Sequence, residues 1–406
     1  MKTAVSLFSG CGGFCEGMEL AGFTVKCAVE IDRFAAETYR HNFPGIPLLE
    51  DDVATFLADG EDHVRKYGLT DIDVVFGGPP CQGYSQIGTR DLKDERNSLY
   101  KQFSRIVEHL RPRVFLMENV PNLLLLNRGH YRDLILGEFA RIGYSNTIPV
   151  TVTATDYGVP QLRQRVIFVG IRDGDALPAP LADICTAALE AQKIPEPFTV
   201  RQAIGDLPDE VVPSGETMPY PAKGQLSKFQ KMMRLDCDRA PYSRRVKKAR
   251  GIGSDPVVLH NHHTKDIQAR RLHLISLLRP GQKANSLPKE IWDGRRPEKW
   301  RRLHPDEPSY TILAQMHRDL SEWVHPHLQR WITVREAARL QSFHDGFVFK
   351  SSEWQQLKQI GNAVPPLLAH AVGRMGVDVL DRLKPMRRGE RLSRPASDLF
   401  TAAAAE

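Results

Sequence analysis

The chain has 406 residues, of which 41% are hydrophobic and 26% charged, an ordinary balance for a soluble globular protein with room for two sizeable cores. Its formal net charge is +6, a mild basic excess that fits a polyanionic partner without requiring one. The six cysteines repeat no C-x-x-C spacing, the opening Met1–Phe8 is too short for a signal peptide, and no stretch reaches membrane-span length, so neither a zinc site nor a disulfide framework nor a membrane protein is expected. Reduced thiols in the cytoplasm fit better.

In chain order, apolar runs alternate with helical patterns, the signature of β-α-β units and a parallel sheet. Strands are expected at Thr3–Phe8, Thr24–Val29, Ile72–Phe76, Val114–Met117, Val152–Ala154 and Val166–Gly170, with an amphipathic helix over Leu99–Leu110. From residue 172 prolines thicken and periodicity fades. Nine Lys/Arg against two Asp give Lys228–Arg250 a local charge of +7, more than the excess of the whole chain. Regularity returns at Thr333-Val334-Arg335-Glu336, a capping box opening a helix through Phe343. Another helix is expected from Pro365-Pro366, burying Leu368, Val372, Met375 and Val379 on one face. Residues 384–406 read as a disordered tail. There are no internal repeats.

The first strand ends in Phe8-Ser9-Gly10-Cys11-Gly12-Gly13, where glycines let backbone approach a ligand and Phe8 offers a flat face. Taken alone, such a turn is equally well structural. The second strand ends in Glu30-Ile31-Asp32, about where a carboxylate meets ribose hydroxyls, and Asp51-Asp52 could accept from an exocyclic amine. No Lys-Ser or Lys-Thr follows the glycines, which excludes a P-loop. The set suits an adenosine ligand with no required phosphate.

The strand Ile72–Phe76 is then broken by Gly77-Gly78-Pro79-Pro80, presenting the thiol of Cys81 at the carboxyl end of a strand, where open α/β sheets place their chemistry. A thiol there is a nucleophile when its pKa is lowered; a lone cysteine is more often a small buried residue, so its partners decide. Val114–Met117 ends in Glu118-Asn119-Val120, an acid at a neighbouring strand end. In Gln161-Leu162-Arg163-Gln164-Arg165, alternation puts both arginines on one face, suited to a phosphate or a carbonyl oxygen.

Together these segments resemble the DNA (cytosine-5) methyltransferases, which use S-adenosyl-L-methionine. The resemblance rests on Phe8–Gly13, Glu30–Asp32, Gly78-Pro79-Pro80-Cys81-Gln82, Glu118–Val120, Gln161–Arg165, Arg335–Phe343 and Gly361-Asn362-Ala363-Val364-Pro365-Pro366, in that order. It covers residues 1–171 and about 305–383. It implies a Rossmann-like methyltransferase α/β sheet with helices on both faces and a smaller, irregular target recognition domain. The implied division is a catalytic, cofactor-binding part over 1–171, recognition over 172–332 and helices returning to the catalytic domain over 333–383.

By the same resemblance Cys81 attacks C6 of a flipped-out cytosine in double-stranded DNA, Glu118 protonates or hydrogen-bonds N3, Arg165 holds O2, and Arg163 assists through the adjoining sugar-phosphate and loop. Glu118 is expected to be buried. Cofactor contacts carry over to Phe8, Gly10, Cys11, Gly12, Gly13, Glu30, Ile31, Asp52, Pro80, Leu99, Asn362 and Val364. Ile31 stands where many relatives have a larger flat side chain. Gln82–Asn97 corresponds to a loop closing over DNA, with Gly83 and Gly88 as hinges. Ser85 would then touch the target phosphate, and Gln86 and Ile87 would fill the vacated space. Lys247 and Lys248, in the basic cluster, read as phosphate contacts, with a solvated linker as the alternative. His260-Asn261-His262-His263 reads as a DNA-facing polar loop rather than a metal site.

A tRNA cytosine methyltransferase of similar fold is disfavoured, since Cys185 and Cys237 sit in Ile-Cys-Thr and Asp-Cys-Asp rather than the Cys-Phe-Thr of those enzymes. A catalytically inactive DNA-binding homologue is disfavoured by the intact Cys81, Glu118, Arg163 and Arg165. The expectation is a stand-alone, monomeric, prokaryote-like enzyme of the cytoplasm and nucleoid, with a cognate restriction endonuclease as a partner in the same cell.

Overall fold

The computed structural model describes residues 1–58, 60–80, 99–221, 224–236, 241–251, 258–292, 294, 300–316 and 322–384. Its first eight strands are β1 (Lys2–Leu7), β2 (Phe23–Val29), β3 (Leu48–Leu49), β4 (Val74–Gly77), β5 (Val114–Asn119), β6 (Asn146–Thr153), β7 (Gln161–Leu162) and β8 (Gln164–Ile171). All but β7 join one seven-stranded sheet of order β3-β2-β1-β4-β5-β8-β6. Strands β1 to β5 pair in parallel, whereas β8 runs antiparallel to both β5 and β6. The expected all-parallel sheet is corrected at β8. The link from β6 to β8 is too short for a helical crossover, so the chain must return antiparallel.

Side-chain alternation divides the sheet between two cores. Ala4, Val74 and Val114 face one cluster, while their neighbours Val5, Val75 and Phe115 face the other. Strand β6 starts six residues before the expected Val152 because its signal is weak: it is an edge strand, mostly half-buried, and carries Pro149 at a position only an edge tolerates.

The helices of this region are α1 (Gly13–Ala21), α2 (Arg33–Asn42), α3 (Val53–Ala58), α4 (Gly60–Tyr67), α5 (Leu99–Leu110), α6 (His130–Arg141) and α7 (Leu181–Glu190). Helix α5 occupies the expected residues and buries Phe103, Ile106, Val107 and Leu110. Farther on come α8 (Val200–Ile204), α9 (Lys228–Met233), α10 (Pro241–Arg250), α11 (Ala269–Ser276), α12 (Val334–Leu340), α13 (Glu353–Asn362) and α14 (Pro366–Arg382). Helix α14 buries Leu368, Val372, Met375 and Val379 completely, as the pattern predicts. No helix among the described residues is long and apolar enough to cross a membrane.

Helices α1 and α14 approach until glycines touch: a Cβ on Gly17 would collide with the Ala369 backbone, and one on Gly13 would sit 2.5 Å from the Val364 carbonyl oxygen. The cleft-forming Gly10–Gly13 turn is thereby clamped against the C-terminal helices.

The segment 172–332 contributes residues to this core. Helix α7 and residues of α8 and α9 share the buried cluster of α14, whereas Leu274, Ile275, Leu278, Trp300, Val324 and Trp331 belong to a smaller cluster of their own. Five short strands accompany this region: β9 (Thr217–Met218), β10 (Leu259–His260), β11 (Trp300–Arg302), β12 (Ser309–Tyr310) and β13 (Glu322–Val324). Where ladders are this short, buried arginines gather the backbone. Arg302, 2% exposed, donates to the carbonyls of Ile275, Leu278, His325 and Leu328 and to Gln329 Oε1 at 2.7–2.9 Å.

The capping box at Thr333 forms: Thr333 Oγ1 accepts from Glu336 N at 3.1 Å and Glu336 Oε2 from Thr333 N at 2.8 Å. Helix α12 stops at Leu340 rather than at Phe343, because Ser342 turns left-handed at φ 62°. His260–His263 is not a DNA-facing loop, which corrects that expectation. Asn261 exchanges hydrogen bonds with the Phe349 backbone, and His262, wholly buried, lies between the Pro208 carbonyl and Thr333 Oγ1. These side chains join the irregular region to the C-terminal helices.

Two outcomes are expected. Gly17→Leu should lower stability by about 3 kcal/mol, by overpacking the α1–α14 contact, and is read from chemical denaturation. Acid should destabilise the fold in two windows. Burial first, then neighbouring positive charge, lowers His260 and His370 to about 4, so their contribution is lost as pH falls from about 6.5 towards 4. Burial alone would raise Glu336, but the charge and hydrogen bonds of Arg330 bring it to about 2, so its contribution is lost between about pH 4.5 and 2. Glu336→Gln should flatten the second window only, as seen in denaturant midpoints measured against pH.

Candidate active site

The carboxyl ends of β1, β2, β4 and β5 open onto one cavity of about 730 Å³. At its β2 end, Glu30 is held by backbone donors: Gly10 N to Oε2 at 2.7 Å and Asp32 N to Oε1 at 2.8 Å. Burial raises its pKa, against the pull of those two N–H groups. Phe8 turns left-handed at φ 53°, and Gly10 (φ 56°) has no atom within 4 Å of where a Cβ would stand. The backbone there is bare towards the cavity. Ile31 is 63% exposed at the rim, and Asp52 accepts from Ala54 N at 2.8 Å at the start of α3. Lys358 of α13 closes that rim through Asp32, at 2.7 Å.

Of the expected cofactor contacts, Phe8, Gly10, Glu30, Ile31, Asp52, Pro80, Leu99 and Asn362 line this cavity. Cys11, Gly12, Gly13 and Val364 stand behind the lining as packing. Cys11 is buried, and desolvation pushes its thiol up to about 12, so it is an inert core group.

At the other end stand Glu118, Arg163 and Arg165. Cys81, Ser85, Gln86 and Ile87 lie outside the described residues. Ahead of Cys81, Asn119 Nδ2 donates to the Pro79 carbonyl at 3.3 Å, tying the end of β5 to the turn after β4. A Cβ on Gly78 would come within 2.8 Å of Glu118 Oε2, so a side chain there would displace the acid.

Glu118 is not fully buried. Its side chain is 14% exposed rather than buried, and its Oε1 pairs with Arg165 Nε at 2.6 Å. Arg163 also departs from expectation. Its guanidinium is buried and donates to the carbonyls of Ile312 (3.1 Å), Gly361 (3.0 Å) and Ala363 (3.1 Å), not outward to a phosphate. Desolvation, and then the charge of Arg165, lower its pKa well below the usual value. Gln161 works beside it, accepting from Ile312 N and donating to the Leu340 carbonyl and to Gln341.

The wall Ile312–Gln315 was not legible as a site element; it reaches the cavity only because β12 pairs in parallel with β7. The basic cluster is divided by the fold. Arg234 turns inward to Asp206, and Arg245 donates to the Leu20 carbonyl at the C-terminal end of α1. Lys247 and Lys248 ride on α10 beside that contact, at the end of α1 remote from the cavity. Among the described residues, no group of three His, Cys, Asp or Glu could hold a metal.

Such a sheet, with a cavity at the carboxyl ends of its strands, defines a Rossmann-like α/β fold. Residues 2–376 match the family model of C-5 cytosine-specific DNA methylases. The Type II methyltransferases M.AgeI of Thalassovita gelatinovora and M.DdeI of Desulfomicrobium norvegicum are 33% and 34% identical. The alignments cover 92% and 91% of this chain and 98% and 86% of those proteins. A crystal structure described as a DNA modification methyltransferase encoded within a prophage (E. coli) superposes with a TM-score of 0.73 at 27% identity, covering 94% of this chain and all of that one. The chain belongs to the C-5 cytosine-specific DNA methylase family and is a DNA (cytosine-5) methyltransferase.

Arg163→Met removes the donors of three buried carbonyls and should cost about 3 kcal/mol of stability, measured by denaturant unfolding.

Proposed function

We propose that the enzyme transfers a methyl group from S-adenosylmethionine to C5 of a cytosine flipped out of a specific duplex sequence, through a covalent Cys81–C6 bond. One observation carries the reading: a single cavity joins an adenosine-type end, Phe8 to Asp52, to the Glu118–Arg165 pair beside the turn that leads to Cys81. The residues fit the cofactor. Glu30 is oriented by two backbone donors yet keeps lone pairs for ribose hydroxyls, and the bare backbone at Gly10 leaves room for close approach. When bound, the cofactor supplies an electrophilic methyl group to C5, which becomes nucleophilic only after C6 is attacked.

The chain's own residues do the rest. The thiolate of Cys81 forms a bond to C6, and the displaced ring electrons move towards N3, where Glu118 supplies a proton or hydrogen bond. Arg165 holds O2 and Arg163 positions the walls. After transfer, loss of the C5 proton restores the ring double bond and expels the thiolate. Ser85 would contact the target phosphate, Gln86 and Ile87 the vacated stack, and Lys247 and Lys248 the more distant backbone. The Type II relatives favour a cognate restriction endonuclease in the same cell; this chain would act as a monomer in the cytoplasm.

Duplex DNA carrying 5-fluorocytosine tests the mechanism, because its C5 fluorine cannot leave as a proton does. A denaturation-resistant adduct should form with the intact chain and be lost in Cys81→Ser; an adduct that survives in Cys81→Ser, or none with the intact chain, would refute the covalent step. Glu118→Gln should lower kcat by about 10²- to 10⁴-fold in transfer of a tritiated methyl group.

A further inference from the structure

Outside the cavity, one residue from its wall, lies a compact group of aromatic, apolar and cationic side chains, of which Leu162 is exposed, Lys283, Arg301 and Tyr310 are half-buried and Trp323 is buried. Leu162, at the end of β7, turns out of the protein, 51% exposed, whereas the next residue, Arg163, turns into it. The partner of Leu162 across the β7–β12 pair is Tyr310, on the same side. Arg301 lies 4.7 Å from the Tyr310 ring and 5.2 Å from that of Trp323, while Lys283 Nζ is 5.8 Å from Tyr310. A bridge pairs Lys283 with Arg301, and Arg301 pairs with Trp323 across β11 and β13, so these groups stand in one row. Tyr310 and Trp323 stack at 5.9 Å.

This group is fixed to the cavity. Thr311 Oγ1 donates to the Leu162 carbonyl at 2.5 Å, and the next residue, Ile312, is gripped by Gln161 and Arg163. Two cations beside aromatic and aliphatic surface match the alternation of phosphate and sugar along a nucleic-acid strand.

We propose that Leu162, Arg301, Lys283 and Tyr310 seat the sugar-phosphate backbone of the DNA strand immediately flanking the nucleotide held in the cavity. The inference rests on the proposed function. A base drawn into the cavity leaves its neighbouring phosphates at the rim, and these side chains supply positive charge and apolar contact there without reading sequence. Its contribution lies in DNA affinity rather than in the chemical step.

The full chain is assayed on unmethylated genomic duplex DNA with tritiated cofactor, and cofactor binding is measured separately by equilibrium dialysis. Lys283→Ala and Tyr310→Ala should each raise the KM for DNA about tenfold, leaving kcat and the cofactor dissociation constant within about twofold. Lys283→Ala should also reduce the log–log salt slope of DNA binding by about 1. An unchanged KM and slope in variants with wild-type thermal unfolding overturns the inference. So does an equal loss of cofactor affinity, which would mean that the substitutions act through the cavity wall. An intact chain that transfers no methyl group to duplex DNA overturns the proposed function, and this inference with it.

Discussion

The cavity depends on one buried guanidinium. Arg163 is removed from water, and such a charge is tolerated only when its N–H groups find acceptors. It finds them in three carbonyls from two distant stretches, Ile312 on one side and Gly361 and Ala363 on the other. Gln161 and Gln341 complete the hub, with Gln341 donating to the Ile360 carbonyl at 2.6 Å. The strand-end residues on the N-terminal side and the Asn362 wall on the C-terminal side therefore form one enclosure, though more than a hundred residues of irregular chain separate them.

The same device recurs wherever regular ladders run out. Arg302 collects the end of α11 and the 325–329 turn, and Arg335 collects the carbonyls of His260, His344 and Phe347. Arg339 is clamped by Asp345 in a fork at 2.8 and 2.6 Å. Burial alone would raise Asp345, but the charge and hydrogen bonds of Arg339 hold it below the usual carboxylate range. A planar donor with five N–H groups suits this task better than a lysine, whose charge points one way. The irregular region is thus held by side-chain-to-backbone bonds as well as by its short strands.

This explains what could be read from the sequence. The strand ends expected at Phe8, Phe76 and Met117 fall within two residues of those observed at Leu7, Gly77 and Asn119, because glycines, prolines and acids interrupt apolar runs, and α5, α12 and α14 announced themselves by periodicity and caps. Arginine burial leaves no such mark. Arg163 and Arg234 look like surface charge in the chain, and the basic run Lys228–Arg250 looked like one surface although the fold divides it. His262 was legible as a polar residue but not as a buried one, since only tertiary contact supplies the Pro208 carbonyl and Thr333. The β7–β12 pair joins two residues on each side, too few to carry a pattern, yet it brings Ile312–Gln315 to the site.

The Glu118–Arg165 ion pair gives the proposed chemistry its logic. Before substrate enters, the carboxylate and the guanidinium satisfy each other at 2.6 Å, so neither charge stands uncompensated at the cavity wall. A cytosine edge offers O2 as an acceptor for the guanidinium and N3 as a site for a proton, which Glu118 supplies in this reaction after its carboxylate has taken one up from solvent. In the proposed reaction, binding therefore exchanges one polar contact for two rather than stripping a lone charge, and the acid meets the ring already oriented by the arginine. Gly78 is what permits this arrangement, since a side chain there would press on Glu118 Oε2 and displace the acid.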